Sequence, residues 1–314
     1  MTQFYLAPME EVTGYVYRNV YRAMFGDMDR YFTPFIAPTK KKILKTRERK
    51  EVAPENNQGM NVVPQILTND TEQFLDTCNM LIGLGYHEVN LNLGCPAATV
   101  VSKKKGSGFL DDIGRLDQFF ETVFEEIATL PEERKCRVSV KTRIGMEFPE
   151  EFEDIMEVYN RYPFSEIIIH PRLQKDYYQN HPNLDVFGEA LKQSVHPVCY
   201  NGDIFTKEDY DTFRGRFPTV ERVMLGRGVV TNPGLVREIR TGQTITTTEL
   251  KEYHDRLYAG YREAMGSEKD ALFKMKEVWS YLGKMFPESE RELKKVRKAN
   301  RPEEYQEAVR RVFG

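Results

Sequence analysis

Short apolar runs alternate with amphipathic stretches along most of this chain. The runs are FYLAP, RYFTPFI, NVVPQIL, EVNLNLG, RVSVKTR, EIIIHPR, PVCYNGD and RVMLGRG. Each is short and apolar, which predicts a strand. The stretches between them carry helical spacing. In TEQFLDTCNMLIGL, Phe74, Leu75, Cys78, Leu81 and Ile82 share one face, and LDQFFETVFEEIATL repeats the pattern. TKEDYDTFRGRF opens with Thr206 and Asp209 in capping-box spacing. Eight strand candidates alternating with helices predict a parallel α/β sheet closed into a (β/α)8 TIM barrel. A doubly wound open sheet is the rival, and the strand count and a span of about 240 residues favour the barrel.

The pattern changes near residue 245. TGQTITTTEL is polar and threonine-rich, which suits a linker and a helix start at Thr248. Strand signals then stop. Leu272, Met275, Trp279, Leu282 and Phe286 keep 3–4 spacing on one helix face. Leu250, Tyr253, Leu257 and Tyr261 form a second face, and Tyr305, Ala308, Val309 and Val312 a third. The expected organisation is a catalytic barrel over 1–245 and a small C-terminal helical bundle over 246–314.

Composition adds little: 40% hydrophobic and 30% charged residues describe an ordinary globular chain. No apolar run is long enough to span a bilayer. The opening MTQFYLAPMEEV lacks a basic-then-apolar signal layout and reads as a first strand, so the cytoplasm is the expected location. Cys78, Cys95, Cys136 and Cys199 form no CxxC pair, which points away from a metal site or a dithiol motif. Cys95 alone sits between Gly and Pro at a strand end. The net charge of −3 hides three basic runs. TKKKILKTRERK begins at Thr39, Lys103 to Lys105 are consecutive, and RELKKVRKANR lies near the end. Each is a solvated surface by its bland reading; together on an acidic background they suggest positive patches.

In such a barrel, functional residues gather at strand C-termini. Those ends supply Pro8 and Met9, Gln65, Asn92 and Cys95, Lys141 and Arg143, His170 and Arg172, then Asn201, Gly202 and Asp203, and finally Gly226 and Arg227. Glycine turns after the last two strands let backbone N–H groups approach a phosphate, and Arg227 adds a fixed charge. Plain turn glycines are the alternative. Lys141 among strand valines is costly unless it meets an anion or has a lowered pKa; a strand-end ion pair is the alternative. His170 taken alone is equally a core histidine, and Gln65 alone says little.

Taken together, APMEEVT, NLNLGCPAATVVSKKKGSG, VKTRIG, HPR, NGD and LGRG, in this order and at about this spacing, resemble the tRNA-dihydrouridine synthase family. FKMKEVWSYLGKMFP resembles that family's helical domain, so the likeness covers nearly the whole chain. The resemblance implies an FMN-dependent oxidoreductase that reduces uridine in tRNA to 5,6-dihydrouridine, with NADPH as reductant. It places the flavin phosphate on Gly202, Asp203, Gly226 and Arg227, with Asn201 shaping the turn. Pro8 and Met9 would border the ring, Gln65 bind its amide edge, and Lys141 stand by its pyrimidine side. His170 and Arg143 would complete the polar wall. Asn92, Arg143 and Arg172 are the implied substrate contacts. The flavin would deliver hydride to C6 of uracil and Cys95 a proton to C5, since an ordinary thiol, with a pKa of about 8.5, is mostly protonated at neutral pH. Lys103, Lys104 and Lys105 would, as a group, close over the nucleotide or touch phosphate. The target base must leave its stack, at a cost that phosphate contacts offset. Lys274, Lys276 and Lys284 lie off the bundle's apolar face and are expected to be free for RNA, with Trp279 as core.

The alternatives are an FMN barrel acting on a free pyrimidine, a non-catalytic RNA-binding protein, and a phosphate-binding sugar isomerase. The basic runs and the bundle argue against the first; Cys95, Lys141 and the glycine turns argue against the second. No membrane or metal partner is expected, and a monomer is the default.

Overall fold

The computed structural model describes residues 1–314. Nine parallel segments form one sheet: β1 Gln3–Leu6, β2 Arg30–Phe32, β3 Val62–Val63, β4 Gln65–Ile66, β5 Glu88–Leu93, β6 Arg137–Thr142, β7 Ile167–Ile169, β8 Val198–Tyr200 and β9 Arg222–Leu225. Their order is β3-β2-β1-β9-β8-β7-β6-β5-β4. The two ends, β3 and β4, are halves of one strand interrupted at Pro64, which has no N–H to give the ladder. The Pro64 carbonyl still accepts from Asn90 N at 2.9 Å. The chain after β2 closes the ring, with Ile36 N donating to Gln65 O and Leu67 N to Ile36 O, both at 2.8 Å. The nine segments are thus the eight expected strands, wound into a (β/α)8 barrel.

The chain forms two units. The first comprises Met1–Pro8, Arg30–Asp203 and Phe217–Met224 and holds the barrel strands up to Met224. Its inward residues Tyr5, Ala7, Phe32, Val63, Ile168, Cys199 and Met224 make one buried cluster. The second comprises Met9–Asp29, Ile204–Arg216 and Leu225–Gly314 and is helical. Within it, the helix Tyr15–Met24 packs on the helix Thr247–Met265. Tyr17 meets Tyr253 edge-on at 6.1 Å, and Gly260 is needed because a Cβ there would lie 2.9 Å from Val16 Cγ1. The capping box at Thr206 forms: Thr206 N donates to Asp209 Oδ2 at 3.0 Å and Asp209 N to Thr206 Oγ1 at 3.1 Å. The later helix starts at Thr247 rather than Thr248, because Thr246 caps it in a second box with Glu249. Trp279 is core, as expected, and donates from Nε1 to Tyr305 Oη at 2.9 Å. Lys274 departs from expectation. It is ion-paired to Glu11 and bonds that residue's carbonyl, so it is not free for RNA. No helix is long and apolar enough to cross a membrane.

The floor of the barrel is polar. Glu166, just before β7, accepts from Tyr5 Oη at 3.1 Å and pairs with Arg222 Nε at 3.2 Å. Beside it, Glu88 holds Arg30 at 2.8 Å and Arg137 at 3.1 Å. Burial outweighs the arginines and pushes the Glu166 carboxyl up to about 7. The folded chain therefore keeps a proton that the unfolded chain releases near pH 4.5. Between those values stability from this group falls as pH rises, and above about 7 the loss is complete. Relative to wild type, Glu166→Gln should gain stability between pH 5 and pH 8, on the order of 2–3 kcal/mol at most. Urea unfolding at both pH values checks this; an unchanged difference would contradict it.

Candidate active site

The alternation of β5 decides which side chains enter the barrel. Asn90 and Asn92 are two apart and so share a face. Their Cα partners on β6 are Ser139 and Lys141. The amides join in a buried chain. Asn90 Nδ2 donates to Ser139 Oγ at 3.0 Å, Gln65 Nε2 donates to Asn90 Oδ1 at 2.7 Å, and Asn92 Nδ2 donates to Gln65 Oε1 at 2.7 Å. Asn92 Oδ1 then accepts from Gly94 N at 3.0 Å and Cys95 N at 2.9 Å. This fixes the orientation of every amide and locks the backbone of Cys95 as the strand ends. Asn90 and Ser139 were not anticipated; the two-residue spacing of NLN and of SVK was the available signal.

The glycine-rich loop holds Cys95 from the other side. Ser107 N and Oγ both donate to the Cys95 carbonyl, at 3.1 and 2.9 Å. Gly106 is required there, with φ +57° and a would-be Cβ only 2.8 Å from the same oxygen. Cys95 itself is half-buried, whereas Cys78, Cys136 and Cys199 are buried. Lys141 lies close enough to Cys95 and Cys199 to feel both thiols, and burial, with Arg143 next, lowers its ammonium to about 8.

Arg143 and Arg172 are expected substrate contacts, yet they are 0% and 1% exposed. Arg143 donates to the carbonyls of Gly94 at 3.0 Å, Leu173 at 2.6 Å and Tyr177 at 2.6 Å. It thus joins the Cys95 turn to the loop after β7. Its guanidinium also stands 5.4 Å from the Tyr178 ring centroid, and Tyr178 stacks on His170 at 6.1 Å. Arg172 binds the Asp203 carboxylate through both terminal nitrogens and lies 3.0 Å from His170 Nε2. An arginine can only donate, so Nε2 is the acceptor and Nδ1 carries the proton of the neutral ring. Asn201 Nδ2 donates to Met224 O at 2.9 Å, tying the ends of β8 and β9.

Pro8 and the residues from Gln65 to Asp203 fall in the first unit; Met9, Gly226 and Arg227 fall in the second. In the second unit, Met9 opens a turn, with its N–H on Thr13 Oγ1 at 2.8 Å. Arg227 stands over the Phe205 ring at 5.5 Å, and Lys284 over the same ring at 5.8 Å. Gly202 follows β8 and Gly226 follows β9, and neither carries a side chain. A side-chain-free turn lets a backbone N–H approach a phosphate, so the Gly202 turn of the first unit fits a flavin phosphate.

A sequence model described as "Dihydrouridine synthase (Dus)" matches residues 5–313. The chain belongs to the dihydrouridine synthase family. As a member it is an enzyme, a flavin-dependent oxidoreductase that forms dihydrouridine. Among curated proteins, it is 26% identical over 299 residues to the tRNA-dihydrouridine(16) synthase of Aquipseudomonas alcaligenes, covering 91% of this chain and 92% of that one. It is 30% identical over 286 residues to a probable tRNA-dihydrouridine synthase of Staphylococcus aureus (strain COL), covering 88% and 81%. Among solved structures, morphinone reductase matches with a TM-score of 0.52 at 12% identity, covering 78% of this chain and 87% of that one. An old yellow enzyme homologue from Zymomonas mobilis matches at 0.50 and 13%, covering 78% and 90%. At these identities the likeness is one of fold. In this dihydrouridine synthase the buried amide chain and the doubly held Cys95 lie at the C-terminal end of β5.

Proposed function

We propose that the chain binds FMN at the barrel mouth and reduces a uridine of tRNA to 5,6-dihydrouridine, with NADPH as reductant and Cys95 as the acid. The observation that supports this best is the placement of Cys95. Asn92 holds its N–H, Ser107 holds its carbonyl, and Lys141 stands opposite Asn92 in register. Pro8, Gln65, Lys141, His170, Asn201, Gly202 and Asp203 of the first unit would hold the flavin. FMN, when bound, supplies the hydride.

The thiol of Cys95 gives its proton to C5 of uracil, and water later restores it. Holding the residue by its backbone on both sides leaves the side chain to the substrate. Lys141, cationic at neutral pH, offsets negative charge that builds up beside it. Asn92 presents the outer end of the amide chain to the uracil edge. Arg143 and Arg172 position loops: the first steadies the Gly94–Cys95 turn, the second orients His170 and Asp203. The helical part of the chain, 246–314, would contact the RNA through exposed cations such as Lys284.

The test is anaerobic spectroscopy of the purified protein. NADPH should bleach its flavin, and tRNA lacking dihydrouridine should restore the colour. Recovery with orotate or free uracil but not with tRNA would replace this reading with a free-pyrimidine enzyme.

A further inference from the structure

Two loops at the barrel mouth display large rings on clamped backbone. After β6, the Glu151 carboxylate accepts from Met146 N at 2.6 Å, Glu147 N at 2.9 Å and Phe148 N at 2.7 Å. One side chain thus fixes three consecutive residues ahead of the helix Glu151–Asn160, yet Phe148 stays 64% exposed. After β7, the Tyr177 carbonyl accepts from Arg143 Nη2 at 2.6 Å, and its N–H donates to Gln174 O at 3.2 Å. Arg172 Nε holds the following turn through Asn180 O at 2.5 Å. Tyr177 itself is 45% exposed. The loops are also bonded to each other. Gln174 N donates to Gly145 O at 2.9 Å, and Lys175 Nζ pairs with Glu147 at 3.4 Å and stands 5.2 Å from the Phe148 ring centroid.

Tyr177 has φ +49° and ψ −98°, a left-handed backbone that glycine adopts freely and a bulky residue only under strain. Arg143, which is buried, keeps the residue there. A turn alone would be served better by glycine, so the strain points to a use for the ring. Tyr178, by contrast, is already engaged, with its ring against Arg143 and His170. The two loops are continuous with the reactive turn. Arg143 Nε donates to Gly94 O at 3.0 Å and Gln174 Nε2 to Pro96 O at 3.4 Å, on either side of Cys95.

We propose that Tyr177 and Phe148 stack on bases of the RNA strand next to the reacting uridine and so position it for Cys95. The inference rests on the tRNA reading above. Turning one base out of its stack leaves its neighbours without a partner face, and an exposed aromatic ring supplies one. Both loops are already clamped, so little freedom is lost when a base settles on them. A protein partner would need roughly 800 Å² of surface on each side. Two rings among charged residues such as Glu147 and Lys175 do not offer it. Both are positioning residues; neither touches the reacting atoms.

The test compares wild type with Tyr177→Leu/Phe148→Leu, which keeps apolar bulk but removes both rings, and with Tyr177→Phe/Phe148→Tyr, which exchanges them. Steady-state reduction of tRNA lacking dihydrouridine is followed over a salt series. In the leucine variant KM for tRNA should rise about tenfold or more, with kcat within about threefold of wild type. The slope of log kcat/KM against log salt should not change, because stacking releases no counterions. The ring-exchanged variant should return KM to within about twofold of wild type. Flavin content and bleaching by NADPH should match wild type in both, which shows that they are folded. If the leucine variant loses flavin, Phe148→Leu alone, which leaves the strained turn untouched, carries the same comparison. A wild-type KM without the rings, while wild type still reduces tRNA, overturns the stacking role alone. So does an equal loss in the ring-exchanged variant, which would show that the original side chains only shape the loops. Failure of wild type to act on tRNA removes the reading beneath it as well.

Discussion

Cys95→Ala should keep its flavin and lose product formation by roughly 10²- to 10⁴-fold, the usual contribution of a positioned acid. The substitution removes one sulfur from a half-buried side chain and leaves both backbone anchors, Asn92 Oδ1 and Ser107 Oγ, in place. Folding and cofactor content are therefore expected to be those of wild type. Single-turnover assays with tRNA, started from the reduced protein, separate the chemistry from binding. If the variant turns over within a few-fold of wild type, the proton comes from elsewhere, and the double anchoring of this residue has another cause.

Gly228→Ala should be the most damaging single methyl group in the second unit. A Cβ at Gly228 would lie 1.9 Å from the carbonyl oxygen of Ile204, which is backbone and cannot swing aside. Both residues belong to the second unit, and the short helix Arg227–Thr231 starts directly after Gly226. Relief requires one backbone segment to move, and the expected cost is at least about 3 kcal/mol. Thermal unfolding and flavin content of the purified variant measure it. A Tm within a degree or two of wild type, with full flavin content, would show that this approach is slack. Gly202→Ala poses a milder problem: its Cβ would meet the Tyr200 hydroxyl at 1.9 Å, the far end of a side chain.

The amide chain explains why Gln65 matters more than it does in isolation. Residue by residue, a glutamine at a strand end carries almost no signal. In the folded barrel its two amide atoms join Asn90 to Asn92, and so connect the barrel interior to the turn that carries Cys95. Replacing it would leave buried polar groups unpaired, and such losses are felt by a whole network.

The parts that depend on near neighbours were legible before folding was considered. Short apolar runs and 3.6-residue periods marked the strands and helices, and the Thr206–Asp209 spacing marked a real cap. The rule that barrel chemistry collects at strand C-termini then pointed to Cys95, Lys141 and the glycine turns. Which distant residues complete one another emerges only in the closed barrel and the packed helices. Folding paired Asn90 with Ser139 across 49 positions, spent Arg143 on loop carbonyls, removed Lys274 to Glu11, and set the helix Tyr15–Met24 against Thr247–Met265. Local patterns report only the face a side chain takes on its own element. What stands on the opposite face is set by closing the barrel, a global condition that no short window of sequence contains.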